Sequence, residues 1–330
     1  MKRIIINIIE GGVCIRRNRA DLPHDRSHLL IDWGASNAPT GLFRASISRW
    51  MEAHISDDCA SDIGTGEVVD SIAFSKSSGV FCGRIVIEIL IKSYFPSCTI
   101  FWHVEEGARI SNKERILTLT GPSSSVLSCE RVLLNILGRM SGIATLTSRW
   151  VSEADGIGVA CTRKTAWGLM DKWAVHIGGG LTHRLSREDA LMIKENDLSV
   201  MSPGVSSESS ISSFVSSIEL GSKNMFTTIE VQDPAQAIVA VRAWAERQKI
   251  NSGLGQIVVL LDNMGPVECG VADHKLRNLG LREVCILEGS GGIKLEELSD
   301  WTGTGVDVIS SSEVNMGSRS LDFSMLIGEA

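Results

Sequence analysis

The stretch CTRKTAWGLMDKWAVHIGGGLTHR, residues 161–184, gathers Arg163, Lys164, Lys172, His183 and Arg184 around three consecutive glycines, in a chain of formal net charge −7. Cations beside flexible backbone suit a pocket for an anion, because a cleft focuses its own field whatever the net charge of the molecule. Other polar residues stand where apolar runs end: Lys194 in LMIKEN, Glu230 in TTIEVQ, Asp262 in VVLLDN, Glu288 and Ser290 in CILEGSGG, and Ser310 in VDVISSS. If those runs are parallel strands, the side chains at their carboxyl ends share one rim. The cations would hold anionic groups there, and the carboxylates a metal ion or the hydroxyls of a sugar.

Plainer readings stand beside these. His176 shares a helical stripe with Trp173 and Ile177 and reads as structural, whereas His183 is either a core residue or a ligand contact. Lys194 within an apolar run is costly to bury alone. It therefore touches a ligand, sits in a buried ion pair, or forms a Schiff base. Asp262 either faces a ligand or caps the next helix, and Arg131 in CERVLLNIL reads as a helix-surface charge. The turn at Ser290, Gly291 and Gly292 is a tight turn or, late in a barrel, a phosphate site with backbone N–H groups at a helix amino end.

The elements that must position these residues follow from periodicity. From about residue 155, β-rich runs (GIGVACTRK, ALMIKEN, FTTIEVQ, QIVVLLDN, EVCILEGSGG and VDVISSS) alternate with segments of helical spacing. Trp167, Met170, Ala174 and Ile177 recur at three and four residues, as do Ile211, Phe214, Val215 and Ile218 within a serine-rich run. In DPAQAIVAVRAWAERQ, Asp233 is placed as an N-cap before Pro234. Strands alternating with helices indicate a parallel α/β architecture, and the near-continuous apolar strands favour a barrel over an open sheet.

The earlier half lacks that alternation. SSGVFCGRIVIEIL, CTIFWHVEEGARI and RILTLTGP suggest a separate α+β domain over residues 41–135, and SCERVLLNILGRMSGIATLTSRWV a helix leading into a barrel domain over 136–330. Residues 1–40, with CIRRNRADLPHDR, read as a polar, partly disordered extension. MKRIIINIIEGG reads as a strand or leader rather than a signal peptide, since Asn7 and Glu10 interrupt its apolar run.

A length of 330 residues allows one large or two moderate domains. The acidic balance argues against a broad nucleic-acid-binding face. Eight scattered cysteines without a CxxC pair argue against a zinc site and for reduced thiols in a cytoplasmic protein. No apolar run reaches the roughly 18 residues that span a bilayer, so no membrane partner is expected.

In order along the chain, ERVLLNILGRMSGIATLT, TRKTAWGLMDKWAVHIGGGLTHR, LMIKEND, IEVQ, LLDN and LEGSGGI resemble the signature segments of the quinolinate phosphoribosyltransferases, the decarboxylating nicotinate-nucleotide pyrophosphorylases. The resemblance runs from about residue 50 to the end. It implies an N-terminal α/β sandwich followed by an incomplete α/β barrel, in a homodimer whose N-terminal domains cover each other's barrel mouths. It implies transfer of a phosphoribosyl group from phosphoribosyl pyrophosphate to quinolinate, with decarboxylation, in NAD biosynthesis. Arg163, Lys164, His183, Arg184 and Lys194 would line the acceptor pocket, with Arg131 from the partner subunit. Glu230 and Asp262 would face the ribose hydroxyls and Mg²⁺. Ser290, Gly291 and Gly292 would hold the 5′-phosphate, with Ser310 and Ser311 nearby. Lys164, Lys194, Glu230 and Asp262 would carry the chemistry.

The chain also departs from the family pattern. Trp167 and Met170 stand where relatives carry proline and arginine in TRKT-x-PGLR, and Glu195 and Asp197 where they carry aspartate and histidine in LIKDNH. Fewer cations favour a less charged acceptor such as nicotinate, if Met170 and Asp197 touch it. A Schiff-base lyase through Lys194 and a catalytically inactive binding protein are the readings from other classes.

Overall fold

Six apolar runs of the second half become six parallel strands: Gly158–Ala160, Leu191–Ile193, Thr227–Val231, Ile257–Asp262, Cys285–Ser290 and Val308–Ser310. Their spatial order is first, sixth, fifth, fourth, third, second. Pairing of the first strand with the last is the closure of a barrel. Among the described residues no pairing joins the first strand to the second, so the barrel is incomplete. All five residues of Thr227–Val231 are buried, as expected of a parallel sheet covered on both faces. The helices Pro234–Ile250 and Gly265–Asn278 pack on the third, fourth and fifth strands. Asp233 caps the first of them, accepting from the N–H groups of Ala235 at 2.7 Å and Gln236 at 2.9 Å. The serine-rich run forms the helix Ser207–Ser217, with Ile211 and Val215 buried.

This computed structural model describes residues 6–9, 12–15, 19–34, 38–205, 207–218, 226–251 and 253–328. The barrel belongs to a compact unit made of Met1–Asp25, Trp150–Arg163 and His183–Glu313. A second unit comprises Arg26–Arg149, Lys164–Thr182 and Val314–Ala330. Its antiparallel sheet has the order Phe323–Ile327, Val68–Ser75, Arg115–Pro122, Thr99–Trp102. Its helices are Gly41–Asp57, Arg84–Tyr94, Leu169–Ile177 and most of Ser123–Glu153. An α/β sheet domain and an incomplete barrel are thus both present.

Each unit is drawn from more chain segments than the sequence suggests. The expected boundary at 135/136 falls inside the single helix Ser123–Glu153, and the division comes near 149/150. A 31-residue amphipathic helix gives no local signal of where its packing partners change. Residues 19–34 are also less solvated than a tail: Leu22, His24, Arg26, Ser27, Leu30 and Ile31 are buried. Apolar residues scattered among arginines hid that burial. The strand reading of the opening segment applies to Ile6–Ile9, which pairs with Gly12–Ile15. Residues 1–5, 10–11 and 16–18 lie outside the described residues. No disulfide links the described cysteines, and none of the described helices is long and apolar enough to cross a membrane.

Candidate active site

Strand register assembles the site. Glu230, Leu260, Glu288 and Val308 lie in one cross-strand row, and Asp262, Ser290 and Ser310 in the row two residues further on. Side chains alternate with period two, so both rows share one face. The opposite face is marked by Gly289, where an added Cβ would come within 2.4 Å of the Trp301 ring. Trp301 lies on the 3-10 helix Leu295–Trp301, so the polar rows face away from that helix and into the barrel.

Lys194 corrects one expectation. Its strand ends at Ile193, so the side chain is not enclosed in an apolar run but stands at the rim, 47% exposed. One step past the Ile193–Ile229 register pair, its ammonium meets the carboxylate of Glu230, which is 9% exposed. The ion pair accounts for Lys194 at this position without a Schiff base. Asp262 is half-buried and accepts from the side-chain amide of Asn263 at 2.7 Å. The following helix starts at Gly265 with Met264 at its N-cap and no side-chain cap, so Asp262 is not a capping residue.

Ser290, Gly291 and Gly292 turn sharply after the fifth strand, with φ of 103° at Gly291 and 62° at Gly292. A Cβ at Gly291 would lie 2.4 Å from Asn263 Oδ1 and 2.7 Å from its Cα, so only glycine fits. The turn leads into a short 3-10 helix rather than the α-helix expected, because Lys294 and the run after it close i to i+3. The anion-binding capacity rests therefore on turn N–H groups more than on a helix dipole. Ser311 donates its hydroxyl to the Ile293 carbonyl at 2.9 Å, tying the loop after the sixth strand to this turn.

Arg184 has two further cations, Arg163 and Arg187, near it. Burial, with Arg163 and Arg187 facing it, pulls its guanidinium down to about 10 against the opposing pull of Glu288 and Asp197. A base whose pKa is lowered by folding costs stability at every pH below that value, and an anion would relieve the cost. Arg184→Met is therefore expected to raise the thermal midpoint by about 1–2 °C, the shift for about 1 kcal/mol in a chain of 330 residues. The same variant should bind an anionic substrate about 10- to 100-fold more weakly. Differential scanning fluorimetry and a binding titration check both; a lowered midpoint would show that Arg184 is a structural contact.

Beside Arg184 lies a buried trio. His183 Nε2 is 3.1 Å from Glu288 Oε1, and His24 Nε2 is 3.0 Å from Glu288 Oε2. Burial alone would raise the Glu288 carboxyl, but the two facing imidazoles hold it well below the usual carboxylate range. Two histidines and a glutamate form a donor set that zinc accepts, and their ligand atoms lie within 4.8 Å of one another. The direct nitrogen–oxygen hydrogen bonds and the neighbouring guanidinium of Arg184 favour a hydrogen-bonded trio over a cation.

The remaining site residues of the sequence reading are placed as follows. Arg163 and Lys164 are exposed at the end of the first strand, and Arg131 is exposed on Ser123–Glu153. Lys172, part of the basic stretch, is instead a strut: it is 2% exposed and donates to the Thr182 carbonyl at 2.6 Å. His176 stacks on Trp173, as a structural residue would. Met170 is fully buried, and the Asp197 carboxylate accepts the Lys194 backbone N–H at 3.0 Å, capping its own helix. Near Met170, Arg139 grips Asp171 with bonds of 3.0 and 2.7 Å and lies 5.2 Å from the Trp167 ring. Sequence reasoning named Glu288 only as a strand-end charge and missed His24 altogether, since its partners lie far away in the chain.

The chain is similar to known proteins over most of its length. Family models described as quinolinate phosphoribosyl transferase, N-terminal domain and C-terminal domain, match residues 60–141 and 143–326. A probable nicotinate-nucleotide pyrophosphorylase [carboxylating] of Methanothermobacter thermautotrophicus is 35% identical over 282 residues, covering 83% of this chain and 92% of that protein. Quinolinate phosphoribosyltransferase [decarboxylating] 1 of Nicotiana glauca is 33% identical over 261 residues, covering 77% of this chain and 72% of that protein. Among solved structures, NadC from Streptococcus pyogenes superimposes with a TM-score of 0.70 at 27% identity, covering 87% of this chain and 98% of that one.

Proposed function

The chain belongs to the quinolinate phosphoribosyl transferase family, and on that premise we propose that it transfers the phosphoribosyl group of phosphoribosyl pyrophosphate to quinolinate. The products are nicotinate mononucleotide, pyrophosphate and CO2. One observation carries the reading. Lys194, Glu230, Asp262, Ser290 and Ser310 meet at the carboxyl rim of one sheet, beside a guanidinium pair that an anion would relieve.

The chemistry then divides among the chain's own residues. Arg163, Lys164, Arg184 and Lys194 orient the two acceptor carboxylates so that the pyridine nitrogen faces C1′ of the ribose, and His183, whose ring nitrogens are taken up by Glu288 and the Arg184 N–H, supports Arg184 from behind. Such positioning supplies much of the rate, because no protein nucleophile is required. Glu230 and Asp262 hold the ribose hydroxyls, and the turn at Ser290, Gly291 and Gly292, with Ser310 and Ser311, receives the 5′-phosphate. The nitrogen–C1′ bond forms as the C1′–oxygen bond to pyrophosphate breaks, and the leaving oxygens gain charge that Lys164 stabilises. In the nucleotide, the cationic ring nitrogen accepts electron density as the 2-carboxylate departs as CO2, and a proton replaces it at that carbon. Two rim carboxylates suit Mg²⁺, which takes one or two carboxylates along with substrate phosphate oxygens. Bound there it would neutralise charge on the pyrophosphate.

Quinolinate is preferred over nicotinate because both departures are explained within the chain: Met170 lies in the interior and Asp197 caps a helix. The experiment is a panel of pyridine carboxylates with phosphoribosyl pyrophosphate and Mg²⁺. A higher kcat/KM for nicotinate than for quinolinate would reverse the acceptor assignment. We further propose that the working unit is a cytoplasmic homodimer with Arg131 supplied across the interface, supported by its exposure on the helix and by the family resemblance. Mixing Arg131→Ala with Lys164→Ala subunits should then restore part of the activity that each lacks. No recovery after demonstrated subunit exchange would refute the shared site.

A further inference from the structure

Glu288 is the most enclosed charged group of the barrel, with no solvent exposure, and each of its oxygens faces one imidazole nitrogen. An ionised carboxylate only accepts hydrogen bonds, so both histidines present Nε2–H to it. At His183 the other nitrogen is assigned as well: Nδ1 accepts the backbone N–H of Arg184 at 2.7 Å. The ring is thereby fixed as the Nε2–H tautomer, and the same bond ties the ring to the residue that carries the buried guanidinium. His183 needs such support, because its φ of 51° is left-handed for a residue with a side chain. The two histidine rings meet edge-on at 5.1 Å, and Phe226 packs against both, at 5.3 Å from His24 and 6.0 Å from His183.

His24 comes from outside residues 60–141 and 143–326, the regions that the family models match. It is delivered by the segment Arg19–Asp25, where Leu22 is also buried. We propose that His24, acting through Glu288, is a positioning residue for the acceptor: together they fix the His183 ring, and through its bond to the Arg184 backbone they hold the Arg184 guanidinium in the one arrangement that receives an acceptor carboxylate. This rests on the proposed acceptor pocket. Through His183 the trio is bonded to Arg184, the proposed acceptor contact, whereas the ribose and phosphate groups are assigned to Glu230, Asp262 and the glycine turn. Loss of His24 therefore acts on one substrate and spares the other.

The test uses the full chain with His24→Ala and His24→Gln, and reads KM for both substrates together with the calorimetric Kd of the pyridine carboxylate that the wild type binds. His24→Ala is expected to raise the acceptor KM and Kd about tenfold and to leave the phosphoribosyl pyrophosphate KM within about twofold, the scale of one lost hydrogen bond to a charged group. His24→Gln should recover most of the loss, because its amide N–H reaches Glu288 from nearly the position of Nε2. If His24→Ala does not fold, Glu288→Gln carries the same comparison and the same expected split. An unchanged acceptor Kd, a parallel rise in both KM values, or failure of a folded glutamine variant to recover would overturn the proposal. So would a stoichiometric metal ion in the wild type that His24→Ala loses. A wild type that binds no pyridine carboxylate would overturn the functional reading as well, while wild-type binding with an unaffected His24→Ala overturns this inference alone.

Discussion

Asp262→Ala is expected to lower kcat/KM by about 100- to 1,000-fold, the usual cost of removing one group aimed at charge that develops in the transition state. The reasoning starts from register: Asp262 closes the fourth strand and stands level with Ser290 and Ser310, so its carboxylate belongs to the rim. It is not a helix cap, and it is half-buried, so its loss removes no core packing. The Asn263 amide, 2.7 Å away, aims the carboxylate and remains solvated when it is gone. Far-ultraviolet circular dichroism and the thermal midpoint should therefore stay close to wild type. Initial rates of pyrophosphate release check the kinetic part. Full activity in a folded Asp262→Ala protein would remove the carboxylate from the mechanism.

Arg282→Met should have the opposite profile, costing about 3–5 kcal/mol of unfolding free energy in the barrel, as breaking a buried ion pair does. The guanidinium is 6% exposed and bonds to Asp273 and to Asp307, each at 2.7 Å. It also donates to the carbonyls of Cys285 at 3.0 Å and Gly305 at 2.8 Å. Burial by itself would lower its proton affinity, yet the carboxylates, Asp307 foremost, raise it above the ordinary arginine value. Removing the cation leaves Asp307, whose side chain is 2% exposed, as an uncompensated buried charge. All of this lies at the amino ends of the fifth and sixth strands, opposite the rim, where residues serve stability rather than chemistry. Urea denaturation measures the loss. Adding Asp307→Asn should recover part of it, because the uncompensated charge disappears while an acceptor for the Leu287 N–H, now 2.8 Å away, is kept. A single variant as stable as wild type would show that the network is dispensable.

Much of this architecture is legible in the residues. The six strands, their parallel direction and the Asp233 cap follow from period and capping chemistry that act within a few residues. The rim carboxylates were readable for the same reason, since each stands at the end of an apolar run. For Lys194 an ion pair was readable as one alternative, but not its exposure, because a strand of three residues ends one position earlier than its apolar pattern suggests. His24 was invisible because its meaning depends on a carboxylate 264 residues away, and nothing local separates it from the arginines around it. The make-up of the second unit was hidden likewise: the pairing of Phe323–Ile327 with Val68–Ser75 is a long-range event that neither segment announces. The motifs that resemble the family supplied what periodicity does not, namely which anions the rim receives.

The most direct measurement of the central claim is product stoichiometry with quinolinate labelled in its 2-carboxyl group. With phosphoribosyl pyrophosphate and Mg²⁺ present, labelled CO2 and pyrophosphate should appear in equal amounts, together with nicotinate mononucleotide, and both should stop when either substrate is left out. Pyrophosphate release without labelled CO2, or no release of either by a folded protein, would contradict it.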